Sequence, residues 1–176
     1  MKTIVALGGS NSKTSINKKL AQYAANMVEG ASVTTLDLND FDIPMYGIDY
    51  EQANGIPEDA KKMNNLIANA DGLVVSLAEH NGAYSAAFKS VFDWMSRINK
   101  EVWHNKPMLL MATSPGARGG ASVLTLAKGS FPHLGGNIVA DFSLPSFQNN
   151  FENDRIINEE LQEQLATEVQ KLTKSL

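Results

Sequence analysis

Short apolar runs that end in glycine alternate along this chain with longer segments whose apolar positions recur at helical spacing. Ile4–Leu7 is an unbroken apolar run closed by Gly8-Gly9-Ser10, the pattern of a parallel strand buried on both faces. Ile16, Leu20, Tyr23, Ala24 and Met27 then follow a helical period within Ile16–Val28, and Gly30 ends that helix. Ser32–Leu38 alternates and is rich in β-branched residues, which predicts a second strand. Pro57 with Glu58 and Asp59 opens a helix reaching about Ala70, because proline suits the first turn and acids suit the positive helix end. Gly72–Leu77 is a third strand, and Tyr84–Ile98 a helix with Phe88, Val91, Phe92 and Met95 on one face. Pro107–Ala112, a helix over Ala121–Phe131, and Gly136–Phe142 continue the alternation. From Arg155 to Leu176 a polar tail carries Ile156, Leu161, Leu165, Val169 and Leu172 at helical spacing, predicting a last packed helix.

Five strands each followed by a helix predict an α/β fold: a doubly wound, five-stranded parallel sheet with helices on both faces. Parallel strands require crossovers, and helices placed there cover the sheet. No repeat, low-complexity tract or linker interrupts the pattern, so residues 1–176 read as one domain. Asn39–Gly55, with Pro44, Gly47 and several acids, reads as a long connection, and its acidic part Asp40–Glu51 as a solvated stretch rather than a metal site.

Composition narrows the chemistry. At 43% apolar and 19% charged residues the chain reads as globular. A formal charge of −4 and the lack of any basic tract argue against nucleic acid as a partner. The absence of cysteine removes disulfides, thiolate metal sites, iron–sulfur clusters and cysteine nucleophiles together. The apolar run at the amino terminus ends at Gly8, far short of the ~20 residues a membrane span needs. The expectation is a cytoplasmic protein with no membrane partner.

In open parallel sheets ligands bind beyond the carboxyl ends of the strands, near the point where strand order reverses. That rule selects Gly8–Ser15, Ala78–Tyr84 and Thr113–Gly120, all rich in glycine or small polar residues. The first has the makings of an anion site: glycines permit close backbone approach, hydroxyls donate, and the helix that follows offers free N–H groups. The same residues also suit a plain serine-rich turn in which Thr14 or Ser15 caps a helix. A Walker A loop is excluded, since Ser12 and Leu7 stand where its glycines belong. The G-x-G-x-x-G dinucleotide fingerprint lacks its third glycine. Asp37, at the end of the second strand, reads as an ordinary strand-end acid.

Gly9-Ser10-x-x-x-x-Ser15-x-Asn17 resembles the G-S-x-R-x-x-S-x-N segment of the NADPH-dependent FMN reductases, a flavodoxin-like group that includes chromate, quinone and azo-dye reductases. Ala78-Glu79-His80-Asn81-Gly82-Ala83-Tyr84 is similar to their P-E-Y-N-G-S-Y segment, and Phe88–Arg97 to their L-K-N-A-x-D-W-x-S-R helix. Lys106-Pro107, Ser114-Pro115-Gly116 and Gly119-Gly120 match in register. The resemblance implies that Ser10, Ser12, Ser15, Ile16 and Asn17 surround an FMN phosphate. Ala78, Glu79, His80, Asn81 and Gly82 would line the isoalloxazine, and Ser114, Pro115 and Gly116 would wall its other side. The departures are Ser12 in place of the family arginine, Ala78 in place of proline, His80 in place of tyrosine, and Ser85-Ala86 in place of the helix-starting Pro-Gly. Lys13 is the candidate to replace the missing charge.

The expected function is FMN-dependent oxidation of NADPH or NADH with ping-pong transfer to a quinone, flavin, azo compound or similar small acceptor. No catalytic side chain is nominated, because the cofactor carries the chemistry. Two other readings stay open on these residues: an electron-transfer flavodoxin, and a relative with a weakened flavin site serving as an interaction module. His80 suits a proton donor or an exposed ring; His104 and His133 read as structural or surface. Trp94 and Phe92 read as core or subunit interface, Trp103 as interfacial, and Asp93 with Arg97 as an ion pair on one helix or a contact between subunits. The resemblance implies a homodimer or homotetramer.

Overall fold

In the computed structural model, which describes residues 1–176, the predicted alternation closes into a single parallel sheet. β1 (Lys2–Gly9) leads to α1 (Ile16–Asn26), β2 (Ala31–Leu36), α2 (Ile48–Asn54), α3 (Glu58–Ala68) and β3 (Gly72–Leu77). A small hairpin, β4 (Glu79–His80) and β5 (Ala83–Tyr84), precedes α4 (Ala86–Ile98), β6 (Pro107–Thr113), α5 (Ala121–Ser130) and β7 (Asn137–Leu144). A short α6 (Phe147–Asn150), a second hairpin of β8 (Phe151–Glu152) with β9 (Arg155–Ile156), and α7 (Glu159–Ser175) complete the chain.

The strand order is β2-β1-β3-β6-β7, all parallel. The first crossover runs outward to β2 and the next returns past β1 to β3, so the order reverses between β1 and β3. This is the flavodoxin-like arrangement, with its ligand crevice at that reversal. Period-two alternation inside the apolar runs sorts side chains between two cores. Val5, Leu7, Leu73, Val75, Leu77, Met108 and Leu110 face α3, α4 and α5. Ile4, Ala6, Val74, Leu109 and Met111 face α1 and α7. Ser76 falls in the second set and is fully buried; its hydroxyl donates to Asn17 Oδ1 at 2.7 Å.

Three expectations change. The stretch Asn39–Gly55 is solvent-facing, with no buried residue, but it is ordered: it carries α2 and lies against α4. Trp94 Nε1 donates to the Pro44 carbonyl at 2.7 Å, Ser90 Oγ donates to the same oxygen at 3.1 Å, and Tyr46 N–H donates to Ser90 Oγ at 2.9 Å. Asp93 and Arg97 do not pair: Lys89 donates to Asp93 at 2.7 Å, while Arg97 Nε reaches Glu51 at 3.0 Å. The last helix starts at Glu159 rather than Arg155, because the Asn158 side chain caps it through Leu161 N–H at 3.1 Å while Arg155 and Ile156 belong to a hairpin.

Trp103 is a core residue rather than an interfacial one: it is fully buried among Phe88, Phe92 and Phe131, with ring centroids 6.5, 5.7 and 4.5 Å away. Trp94 is likewise fully buried within this chain. His104 sits between Asn64 and Asn99, and burial holds its imidazole below the ordinary value. It is structural, as expected.

Candidate functional site

At the carboxyl ends of β1, β3 and β6 lies an open cleft of about 290 Å³ lined by Ser10, Ser12, Thr14, Ser15, Ile16, Asn17, Ala78, Glu79, His80, Thr113, Ser114, Pro115 and Gln148. Ten of the thirteen predicted site residues meet there. Asn81 and Gly82 form the exposed tip of the β4–β5 hairpin, and Gly116 is an exposed loop residue, so these three stand outside the lining. Thr14, Thr113 and Gln148 were missed. Thr14 and Thr113 lie within segments that the strand-end rule selects. Gln148 comes from a 3.6-residue-per-turn stretch too short to show periodicity.

The first loop is wound by its own hydroxyls. Ser10 N–H donates to the Gly8 carbonyl at 2.8 Å, Ser12 N–H to Ser10 Oγ at 3.1 Å, and Thr14 N–H to Ser12 Oγ at 3.3 Å. Ser15 Oγ accepts from Lys18 N–H at 3.1 Å and caps α1. A hydroxyl accepts and donates at once, so the capping role of Ser15 leaves its proton free for a ligand. The capped turn therefore keeps the donors that an anion would need. Ile16 and Asn17 open α1, where backbone N–H groups have no intrahelical acceptor. Together these are neutral donors at a positive helix end, a set that suits a phosphate.

Gly8 permits the geometry. A Cβ there would stand 2.6 Å from Lys18 Cα and backbone N, so α1 crosses β1 at a distance no other residue allows. Lys18 itself pairs with Asp37. Burial raises the Asp37 carboxyl, but hydrogen bonds from Lys18 and from the Asn39 backbone and side chain outweigh it and leave it below the usual range.

Asn17 has a structural task the sequence did not disclose. The residue is 2% exposed. Oδ1 accepts from Ser76 Oγ–H at 2.7 Å and Thr113 N–H at 3.0 Å, and Nδ2 donates to the Thr113 carbonyl at 3.2 Å. The carboxamide therefore bolts α1 to the ends of β3 and β6, with one N–H remaining for a ligand.

The second segment is a hairpin rather than a loop. Asn81 and Gly82 have φ of 53° and 78°, the signature of a type I′ turn, and Asn-Gly is its commonest sequence. That dipeptide was the available signal. Three bonds anchor the hairpin. Glu79 Oε2 accepts from Val123 N–H at 2.9 Å in the first turn of α5. Tyr84 Oη lies 2.8 Å from Ser130 Oγ. Ser85 Oγ, which caps α4 through Phe88 N–H at 3.1 Å, donates to the Gly9 carbonyl at 2.8 Å. Ser85 thus replaces a helix-starting proline with a cap that also ties the hairpin to the first loop. On the third side, Phe147 N–H donates to the Ser114 carbonyl at 3.0 Å and Ser146 N–H to the Gly116 carbonyl at 2.9 Å.

Lys13 does not enter the cleft. With Lys18 and Lys19 it lines a separate groove behind the loop, so the position of the family arginine is filled by no cation.

A model of the NADPH-dependent FMN reductase family matches residues 2–149. The 2-hydroxy-1,4-benzoquinone reductase of Burkholderia sp is 33% identical over 133 residues, 74% of this chain and 70% of that protein. The quinone reductase of Escherichia coli (strain K12) is 30% identical over 118 residues, 67% of this chain; the match spans 63% of that relative's length. Among solved structures, the flavoenzyme NAD(P)H:(acceptor) oxidoreductase FerB from Paracoccus denitrificans superposes with a TM-score of 0.78 at 26% identity, covering 99% of this chain and 97% of that one.

Proposed function

Starting from the fact that the chain belongs to the NADPH-dependent FMN reductase family, we propose that it binds FMN in the cleft and passes reducing equivalents from NAD(P)H to quinones or similar small acceptors. The observation that carries this reading is the first loop, whose free hydroxyl and N–H donors at the start of α1 match a phosphate, with two further strand-end segments completing one crevice. Bound FMN would supply the redox chemistry, accepting electrons from the nicotinamide and releasing them to the acceptor.

The chain's own residues bind and orient. Ser10, Ser12, Ser15 and the first N–H groups of α1 hold the phosphate. The hairpin strand carrying Glu79 and His80 presents its backbone along one edge of the ring system, fixed by the Glu79, Tyr84 and Ser85 bonds. Ser114 and Pro115 form the facing wall. Quinone, flavin or azo acceptors are the proposed substrates.

We further infer a homodimer or homotetramer acting in the cytoplasm. Met45, Ile48 and Tyr50 are 76, 50 and 43% exposed within one six-residue stretch, a concentration of apolar surface that a second copy would cover. No helix is long and apolar enough to cross a membrane, and the chain has no cysteine.

The test is a visible spectrum of the purified protein with FMN added, then anaerobic NADPH or NADH. Quenching of FMN fluorescence followed by bleaching of the flavin band is the expected result. A protein that leaves FMN fluorescence untouched overturns the proposal.

A further inference from the structure

The cleft takes a ligand whose reactions move charge, yet its lining has only two ionisable side chains, Glu79 and His80. No lysine or arginine lines it. Lys13, Lys18 and Lys19 face the groove behind the first loop, and the Arg118 guanidinium donates to Ser122 Oγ at 2.7 Å. Glu79 is committed to α5 through Val123 N–H. That leaves the imidazole of His80. It is exposed and has no hydrogen-bond partner in the chain, so both ring nitrogens are available.

Its backbone, by contrast, is firmly placed. His80 pairs with Ala83 across the hairpin ladder, next to the type I′ turn. The bonds from Glu79, Tyr84 and Ser85 hold that hairpin to α5 and to the Gly9 carbonyl. An exposed, unpartnered ring on an anchored backbone, at the rim between cleft and solvent, suits a proton shuttle.

We propose that His80 is the catalytic proton donor to the acceptor, a role resting on the oxidoreductase reading above. Reduction of a quinone needs two electrons and two protons. A hydride equivalent, delivered from NAD(P)H by way of the flavin, brings both electrons and one proton and leaves an anionic oxygen on the product. The imidazolium N–H bond breaks and an O–H bond forms at that oxygen. Neutral imidazole then regains its proton from solvent, to which the ring is open.

The experiment compares quinone with ferricyanide as acceptor, since ferricyanide takes electrons and needs no proton. In His80→Gln and in His80→Ala the ratio of quinone to ferricyanide turnover is expected to fall about a hundredfold, the usual weight of a general acid. Added imidazole should restore the ratio in His80→Ala. A readout independent of turnover is the His80 ring resonance in a carbon–proton NMR spectrum, assigned by its loss in His80→Gln. It should move when FMN-loaded native protein is titrated with the hydroquinone product. An unchanged ratio in both variants, or an equal loss with both acceptors, overturns the proposal, as does a resonance that stays still. Failure of the underlying reading looks different: native protein would then not bleach FMN with NADPH or NADH at all.

Discussion

Replacing Asn17 by alanine is expected to destabilise the fold by about 3 kcal/mol and to weaken FMN binding at the same time. The carboxamide makes three hydrogen bonds, to Ser76 Oγ at 2.7 Å and to both backbone groups of Thr113 at 3.0 and 3.2 Å. Truncation leaves the Ser76 hydroxyl and the Thr113 N–H without an acceptor, and both residues are buried. An orphaned buried donor costs about 1–3 kcal/mol, so two give roughly 3 kcal/mol when each lies near the low-middle of that range. Against a usual total of about 5–15 kcal/mol, the variant still folds. Urea unfolding followed by circular dichroism measures it: with m of about 2 kcal/mol/M the midpoint falls by about 1.5 M at unchanged slope. A double-mutant cycle locates the cause. Ser76→Ala in the Asn17→Ala background removes one orphan and should recover about 1 kcal/mol, whereas Ser76→Ala alone is destabilising. A loss below about 1 kcal/mol, or a cycle in which the two substitutions simply add, would refute the bolt.

Other substitutions test the remaining contacts. Gly8→Ala places a methyl 2.6 Å from the Lys18 backbone; it should shift α1, lower the urea midpoint and abolish FMN quenching. Lys13→Ala should change the FMN dissociation constant by less than about twofold, because Lys13 faces the rear groove and an exposed charge at that remove is screened; fluorescence titration measures this. Glu79→Ala should cost about 1 kcal/mol through the lost cap on α5 while Glu79→Gln, which keeps an acceptor for Val123 N–H, should cost less, as read by thermal melts. The folded Asp37 carboxyl lies below its ordinary value, so its contribution is present above about pH 3.9 and is lost as pH falls through the folded value. Asp37→Asn should therefore flatten the acid limb of a stability–pH curve.

The regular frame was legible because its physics is local. Gly72–Leu77 and the other apolar runs carry both the strand signal and the two-sided burial, and the glycines that end β1 and follow β6 announce where ligands approach. The three strand-end segments were legible for the same reason. What escaped was set by contacts between distant residues. Pro44 and Trp94 are separated by fifty positions, so nothing near Asn39–Gly55 tells that its carbonyl is claimed by α4. Asn17 looked like a ligand donor because its partners Ser76 and Thr113 lie on other strands. The hairpin was the exception: Asn81-Gly82 stated it locally, and the family likeness of Ala78–Tyr84 drew attention to a loop instead.

The span of those bonds bears on how the protein reaches its native state. Asn17 joins Thr113 across ninety-six positions and Ser85 joins Gly9 across seventy-six. Closing such loops is entropically slow and comes after local helices have formed. No short fragment of the chain contains the cleft, since it exists only once β1, β3 and β6 lie side by side and its lining runs from Ser10 to Gln148. A chain synthesised only as far as β3 thus has no complete cleft for FMN. The cofactor cannot template folding; it selects the finished molecule and stabilises it by mass action, the more so as free FMN rises above its dissociation constant.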